Sequence, residues 1–241
     1  MKTVQGRKNV FLATGSLAFL IMLLTGCLKD VNNTPATPKT YLSLMHLAPR
    51  APSVEVYFNT TKASSAILSG AVSSSYTALD PDIFSVTFKK AGGDSVVAGL
   101  TADSYDSLRY YTLLLYNTDT AHVNAVRIED DFSVLTKDKA YFRFFHMSPD
   151  IGNVDLYFDN TLIQSGRQYA DNTLSYYYNQ FTAQTPGSPT LYVKKAGTDS
   201  VISQLSSVNL NPANAYTIFL KGIPGGTLNN NLGINVLQAT D

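Results

Sequence analysis

One stretch of the sequence occurs twice, and this duplication limits the folds that the chain can adopt. Residues 141–160 align with residues 41–60 without a gap. The residues that recur are Tyr41/Tyr141, His46/His146, Pro49/Pro149, Val54/Val154, Tyr57/Tyr157 and Phe58/Phe158. Self-similarity of this kind is the signature of a repeated structural unit.

Two later blocks repeat in the same order. Residues 88–96 match residues 193–201, and residues 111–115 match residues 216–220. These blocks are shifted by 105 positions rather than 100, so the second occurrence has gained five residues in between. Three ordered blocks at nearly constant spacing indicate a duplicated domain.

The repeat sets the domain boundaries. We assign copy 1 to residues 41–131 and copy 2 to residues 141–241, each about the size of a small β-sandwich domain. A short linker, residues 132–140, joins them and contains the apolar Phe132 and Val134 but no Gly or Pro. A flexible linker is usually more polar, so we expect the two domains to touch.

The repeated blocks alternate with the period of two that is typical of strands. The first strand of copy 2 divides into two faces, Phe142, Phe144 and His146 against Tyr141, Arg143 and Phe145. Similar patterns predict about seven strands per copy, in copy 1 near residues 41–47, 53–59, 72–78, 83–90, 94–100, 109–117 and 123–130. The predicted fold class is all-β, with two tandem immunoglobulin-like antiparallel β-sandwich domains after a lipoprotein signal peptide.

The start of the chain is typical of an export signal. Residues 1–26 combine a positive start with an apolar run that is too short for a comfortable membrane span. The run ends in Leu24-Thr25-Gly26-Cys27, which resembles the bacterial lipobox. The resemblance implies cleavage before Cys27, acylation of that residue, and a flexible tether over residues 27–40. An ordinary signal peptide or an uncleaved anchor remains the alternative.

Composition excludes several classes of function. The 18 basic residues balance the 18 acidic ones and form no basic cluster, so we expect no nucleic-acid partner. The single cysteine allows no intramolecular disulfide. No Gly-rich loop lies between a strand and a helix, so no nucleotide or other cofactor is predicted. An acyl group on Cys27 would place the protein in the cell envelope, at the outer membrane, facing the periplasm or the surface.

The repeated stretch resembles the signature H-x-S-P-D-x-P-x-V-D-V-Y of a bacterial domain of unknown function, DUF4397. Copy 2 departs from this pattern at Gly152, and copy 1 departs at Ala48, Arg50 and Glu55. That family is common in exported lipoproteins and often occurs in tandem. The resemblance implies an immunoglobulin-like sandwich and no established activity.

The repeated histidines, His46 and His146, are the first candidates for chemistry. A histidine beside a proline turn and an acidic residue is a possible general base or metal ligand. The alternative is a half-buried ring that bonds to the turn backbone. Each histidine shares its face with apolar residues and each recurs, so we favour a structural motif composed of His46, Pro49, Tyr57, His146, Pro149, Asp155 and Tyr157. We predict no catalytic residue and no metal site.

Tyr176, Tyr177 and Tyr178 have no counterpart in copy 1. If they lie on a strand, Tyr176 and Tyr178 face one way and Tyr177 the other. Exposed tyrosines beside Asn, Gln and Thr suit the recognition of sugars or protein surfaces. The alternative is an edge strand that packs on the first domain. We select this segment as a possible binding surface.

These features predict a lipid-anchored envelope protein that acts as a non-catalytic binding or structural module. Its expected partners are the membrane, through lipid on Cys27, and an envelope protein or a glycan. One alternative is an envelope hydrolase that uses the His46/His146 region. Another is an architectural subunit of a surface assembly, in which edge strands pair between chains.

Overall fold

The structure is a computed structural model that describes residues 37–240, and this part of the chain forms one compact unit. The predicted signal peptide and Cys27 therefore lie outside the described residues. No helix in the described part is long and apolar enough to cross a bilayer.

The described residues form sixteen strands and three short 3₁₀ helices, without any α-helix. The strands of copy 1 are β1 (Thr40–His46), β2 (Val54–Phe58), β3 (Thr61–Lys62), β4 (Thr77–Leu79), β5 (Asp82–Lys90), β6 (Val96–Tyr105), β7 (Tyr110–Asn117) and β8 (Val123–Asp130). Those of copy 2 are β9 (Ala140–Met147), β10 (Val154–Phe158), β11 (Thr161–Arg167), β12 (Thr182–Gln184), β13 (Leu191–Lys195), β14 (Val201–Leu205), β15 (Ala215–Lys221) and β16 (Gly233–Gln238). The 3₁₀ helices span Asp171–Thr173, Tyr176–Asn179 and Leu228–Asn230.

The strands form four sheets of four strands, two in each copy. In copy 1 the orders are β4-β1-β7-β8 and β3-β2-β5-β6, and in copy 2 they are β12-β9-β15-β16 and β11-β10-β13-β14. The two sheets of each copy share a core, which confirms the prediction of two β-sandwich domains.

Two details differ from the sequence prediction. The pairs β1–β7 and β9–β15 run parallel, although the other pairs are antiparallel as expected. The strand predicted near 72–78 is also shorter, because only Thr77–Leu79 forms a ladder with β1 while Val72 makes a single bridge to Met45.

The predicted faces of the first strands are confirmed. In copy 2, Phe142 and Phe144 point into the sandwich core. Their neighbour Phe145 points the other way and belongs to a different apolar cluster. All residues of β9 are buried, so this strand is covered on both faces.

The second cluster lies between the two copies. It contains Met45, Leu47, Leu114 and Ile128 of copy 1 with Phe145, Met147, Ala170 and Phe219 of copy 2. The outer faces of the β1–β7 and β9–β15 pairs therefore pack on each other, and the contact between the domains that the apolar linker predicted is present. Burial on both sides explains the continuous apolar runs in the middle of β7 and β15, residues 113–115 and 218–220.

The contact between copies is approximately two-fold symmetric, because equivalent residues of the two copies meet. Met45 lies in the same cluster as its twin Phe145. At one end of the strands Arg50 forms an ion pair with its twin Asp150. Self-complementary packing of this type is characteristic of isologous dimers, and here it occurs within one chain.

This symmetry gives the molecule two distinct ends. The ion pair between Arg50 and Asp150 brings the proline turns of both copies to one end, which we call the corner end. The described chain begins before Thr40, at the opposite end of β1. The two ends are separated by the length of β1, about 20 Å for seven residues.

The copies also meet closely at Gly70, which has a φ of 80°. A Cβ atom at this position would lie 2.1 Å from the Asn229 carbonyl oxygen of copy 2. The Gly70 carbonyl oxygen accepts a hydrogen bond of 2.6 Å from the Lys221 ammonium group, whose pKa is lowered by burial. Gly70 therefore lets the two copies approach each other at the corner end.

Replacing Gly70 with alanine should weaken this contact. Gly92 is a matched control, because its φ is 74° and nothing lies within 4 Å of a Cβ built there. We expect Gly70→Ala to cost about 1–3 kcal/mol more free energy of unfolding than Gly92→Ala, the usual range for overpacking. Urea denaturation of both variants measures this difference, and equal losses would contradict the close approach.

Candidate functional site

Both histidines of the repeated motif are fully buried at the corner end. The Nε2 atom of His46 lies 3.1 Å from the Pro52 carbonyl oxygen, and that of His146 lies 3.1 Å from the Gly152 carbonyl oxygen. A carbonyl oxygen only accepts, so Nε2 carries the proton in each ring. Each ring thus ties the end of a first strand to the turn that follows it, and neither reaches solvent.

Burial lowers the pKa of both rings. For His46 the bond to the Pro52 carbonyl opposes this shift. For His146 the bond to Gly152 and the nearby Asp171 carboxylate oppose it, whereas Arg167 adds to it. Because desolvation is the larger effect in both cases, the folded protein favours neutral imidazole at these positions.

The lowered pKa values predict a loss of stability in mild acid. Below a pH of about 6.5 the unfolded chain binds protons that the folded histidines do not, so the free energy of unfolding should fall by up to about 1.4 kcal/mol per pH unit for each ring. Urea denaturation between pH 7.5 and 5.5 measures this slope. His46→Gln and His146→Gln should each reduce it. A slope that is unchanged in both buried-site variants would contradict this origin.

The other motif residues also bind within the fold. The Asp155 carboxylate accepts hydrogen bonds from the backbone N–H groups of Gly166, at 2.7 Å, and Gly197, at 2.9 Å. Tyr157 packs beneath the Lys194 ammonium group, and the equivalent Tyr57 of copy 1 packs beneath Lys89.

The two motif prolines lie in the corner turns, where both are partly buried. The Pro49 carbonyl oxygen accepts a hydrogen bond of 3.3 Å from the side chain of Asn230 in copy 2. The described residues contain no group of three or more His, Cys, Asp or Glu side chains placed to hold a metal ion.

A buried ion pair between Arg143 and Asp130 links the two copies near the middle of the contact. Arg143 also donates to the hydroxyl oxygens of Thr217, at 2.9 Å, and Thr112, at 3.3 Å. The Asp130 carboxylate accepts further hydrogen bonds from Thr112 and Tyr76. Burial raises the pKa of Tyr76, so its hydroxyl stays protonated and donates.

The same guanidinium group positions an aromatic segment of copy 2. It lies 4.6 Å from the centre of the Phe181 ring and 4.8 Å from that of Phe145. It also donates to the Asn179 carbonyl oxygen at 3.4 Å. Arg143 therefore connects the contact between copies to the segment that carries the three tyrosines.

The three tyrosines do not lie on a strand, so the directions inferred for them from strand alternation do not apply. Tyr176–Asn179 forms a 3₁₀ helix instead, in the segment between β11 and β12. Tyr176 and Tyr177 are 63% and 71% exposed, whereas the Tyr178 ring packs 3.9 Å from the Arg167 guanidinium. Because a 3₁₀ helix advances three residues per turn, neighbouring tyrosines point in different directions and two of them reach solvent.

A small pocket lies beside these tyrosines, at the junction of the two copies, and we call it the junction pocket. Its volume is about 160 Å³. Its lining residues are Glu129, Asp131 and Val134 from copy 1 and the linker, and Tyr176, Asn179, Gln180 and Phe181 from copy 2. Sequence reasoning selected Tyr176 but missed the other residues, since they come from distant positions in the chain.

The family model of the domain of unknown function DUF4397 matches residues 40–157. The match confirms, over residues 40–157, the resemblance that the repeated stretch shows in the sequence. No curated protein matches the chain.

The DUF4397 match covers both corner histidines and both corner prolines. It extends from β1 to β10 and ends before the segment with the three tyrosines. The part of the chain that the DUF4397 model matches therefore contains β1, β7 and β9, which form the contact between the copies. The junction pocket takes several of its residues from beyond the matched part.

Proposed function

We propose that this protein is a lipid-anchored component of the cell envelope that acts as a non-catalytic binding or structural module. Acylated Cys27 would hold the chain at the outer membrane, and residues 27–40 would serve as the tether. The two packed sandwiches would act as a spacer that presents its loops to an envelope protein or a glycan.

The placement of the two ends carries this proposal. The described chain starts at one end of β1, and the proline turns of both copies lie about 20 Å away at the corner end. A tether that joins the molecule where β1 begins leaves the corner end free to meet a partner. The shared core between the copies favours a fixed separation over a flexible one.

The hydrolase alternative receives no support from the corner histidines. A general base must reach the proton that it removes, either directly or through one water molecule. His46 and His146 are fully buried, and their Nε2 atoms are held by turn carbonyls. The architectural alternative, in which edge strands pair between chains, differs from the leading proposal in predicting stable assembly of purified protein.

Membrane fractionation tests the anchor. Cells that express the full chain should retain it in the membrane pellet and release it only with detergent. Cys27→Ala should move the protein to the soluble fraction, because the acyl chains are lost. Continued tight membrane association of Cys27→Ala would overturn the lipid anchor.

Incubation of the purified protein with candidate substrates tests the non-catalytic role. We expect peptides, esters and oligosaccharides to remain unchanged after incubation with it. Turnover of any of them that follows the protein through purification would overturn the binding-module assignment.

A further inference from the structure

The junction pocket is built jointly by the two copies and by the linker. Glu129 lies near the end of β8 in copy 1 and Asp131 directly follows this strand, whereas the aromatic and amide groups come from residues 176–181 of copy 2. Neither copy alone can form it, and the approximate symmetry of the molecule does not repeat it. The tandem arrangement therefore creates a surface at the junction that neither copy has by itself.

The aromatic part of the junction pocket is held in place from behind. The buried Phe181 ring lies 4.6 Å from the Arg143 guanidinium and 5.4 Å from the Phe132 ring. Tyr176 forms the adjacent wall and leaves most of its ring open to solvent. An exposed aromatic ring offers apolar contact area at low entropic cost, and its face attracts C–H groups that carry partial positive charge.

The polar groups of the junction pocket suit hydroxyl groups better than a cation. The side-chain amide of Gln180 contains both donors and an acceptor, as a hydroxyl group does, whereas the amide of Asn179 already bonds to Asn172. The Glu129 carboxylate is already paired with Arg109 at 3.2 Å, so its charge is compensated. Asp131 accepts from Ser133, which lowers its pKa, and its ionised carboxylate remains a strong acceptor for a hydroxyl donor.

The size of the junction pocket limits the ligand. Pockets for drug-sized molecules usually have volumes of about 300–1,000 Å³, whereas this one has about 160 Å³. It therefore accepts one ring. The exposed side chains of Tyr177 and Leu174 lie on the same segment and offer apolar surface for the units that follow.

We infer that the junction pocket binds one sugar residue of a neutral glycan. The C–H face of the sugar packs on Tyr176, and its hydroxyl groups bond to Asp131 and Gln180. This inference rests on the proposed role of the protein as a non-catalytic binding module and names the class of ligand for that role.

A glycan array followed by calorimetry tests this inference. The probes are neutral oligosaccharides, sialylated oligosaccharides and lysine-rich peptides, applied to the full chain purified in detergent. We expect binding to neutral oligosaccharides, reduced roughly tenfold by Tyr176→Ala. Tyr176→Phe keeps the ring and should retain the affinity. Leu228→Ala removes an exposed side chain at the corner end and should change nothing.

Three results would overturn the inference. The first is no binding to any neutral oligosaccharide, and the second is glycan binding that Tyr176→Ala leaves unchanged. The third is binding to the lysine-rich peptides alone, which would assign the pocket to a cationic protein segment. Each of these is separate from the proposed membrane anchor, which fails only if Cys27→Ala stays on the membrane.

Discussion

Replacing Arg143 with leucine should destabilise the protein by about 3–5 kcal/mol, the usual cost of leaving a buried charge without its partner. The Asp130 carboxylate would keep its bonds to Thr112 and Tyr76 but would lose its counter-ion. Phe181 would also lose the guanidinium group that lies against its ring. Urea denaturation at neutral pH measures the loss.

An exposed ion pair in the same region provides the control for Arg143. Arg109 and Glu129 pair at 3.2 Å, with side chains that are 58% and 48% exposed. Arg109→Leu should cost at most about 1 kcal/mol, because water already screens this pair. Equal losses for Arg143→Leu and Arg109→Leu would show that the pair between the copies is solvated in solution.

Replacing Phe144 with alanine should also cost about 3–5 kcal/mol, since it empties a large aromatic site in a packed core. Phe144 is fully buried in the core of copy 2, and the Arg167 guanidinium lies 5.3 Å from its ring. Phe158→Ala, in the same core, should have a similar effect. Thermal and urea denaturation measure both losses.

Tyr177 is the matched control for Phe144, because it is also a large aromatic residue of copy 2 but is 71% exposed. Tyr177→Ala should cost well under 1 kcal/mol, as expected for a surface substitution. A loss at Tyr177 as large as that at Phe144 would contradict the orientation of these side chains.

The sequence predicts local structure well where one alternating pattern determines it. The opposite facing of Phe144 and Phe145 follows from the period of a strand alone, and the structure confirms it. The duplication likewise predicts two similar sandwiches. These features are set by residues that lie close together in the sequence, so the sequence pattern is enough to predict them.

Features that depend on distant residues were not predictable. The parallel pairing of β1 with β7 joins segments that are about 70 positions apart, and alternation does not specify strand direction. The partners of Arg143 also come from three separate strands. One signal was present, because Arg143 is a lone charge in an aromatic strand where copy 1 has Ser43.

The shape of the tyrosine segment was predicted wrongly for a related reason. Tyrosine favours strands, but this segment lies between β11 and β12 and has no ladder partner. The contacts of Tyr178 with Arg167 and of the Asn179 carbonyl with Arg143 fix it as a 3₁₀ helix instead. Tertiary contacts therefore override the intrinsic preference of the three tyrosines.

The central claim is that the two copies fold as one body because their outer faces share a core. Scanning calorimetry of the purified full chain tests this claim most directly. We predict a single transition whose calorimetric enthalpy equals its van't Hoff enthalpy, as expected for one cooperative unit. Two separate transitions, neither of them moved by Arg143→Leu, would contradict it.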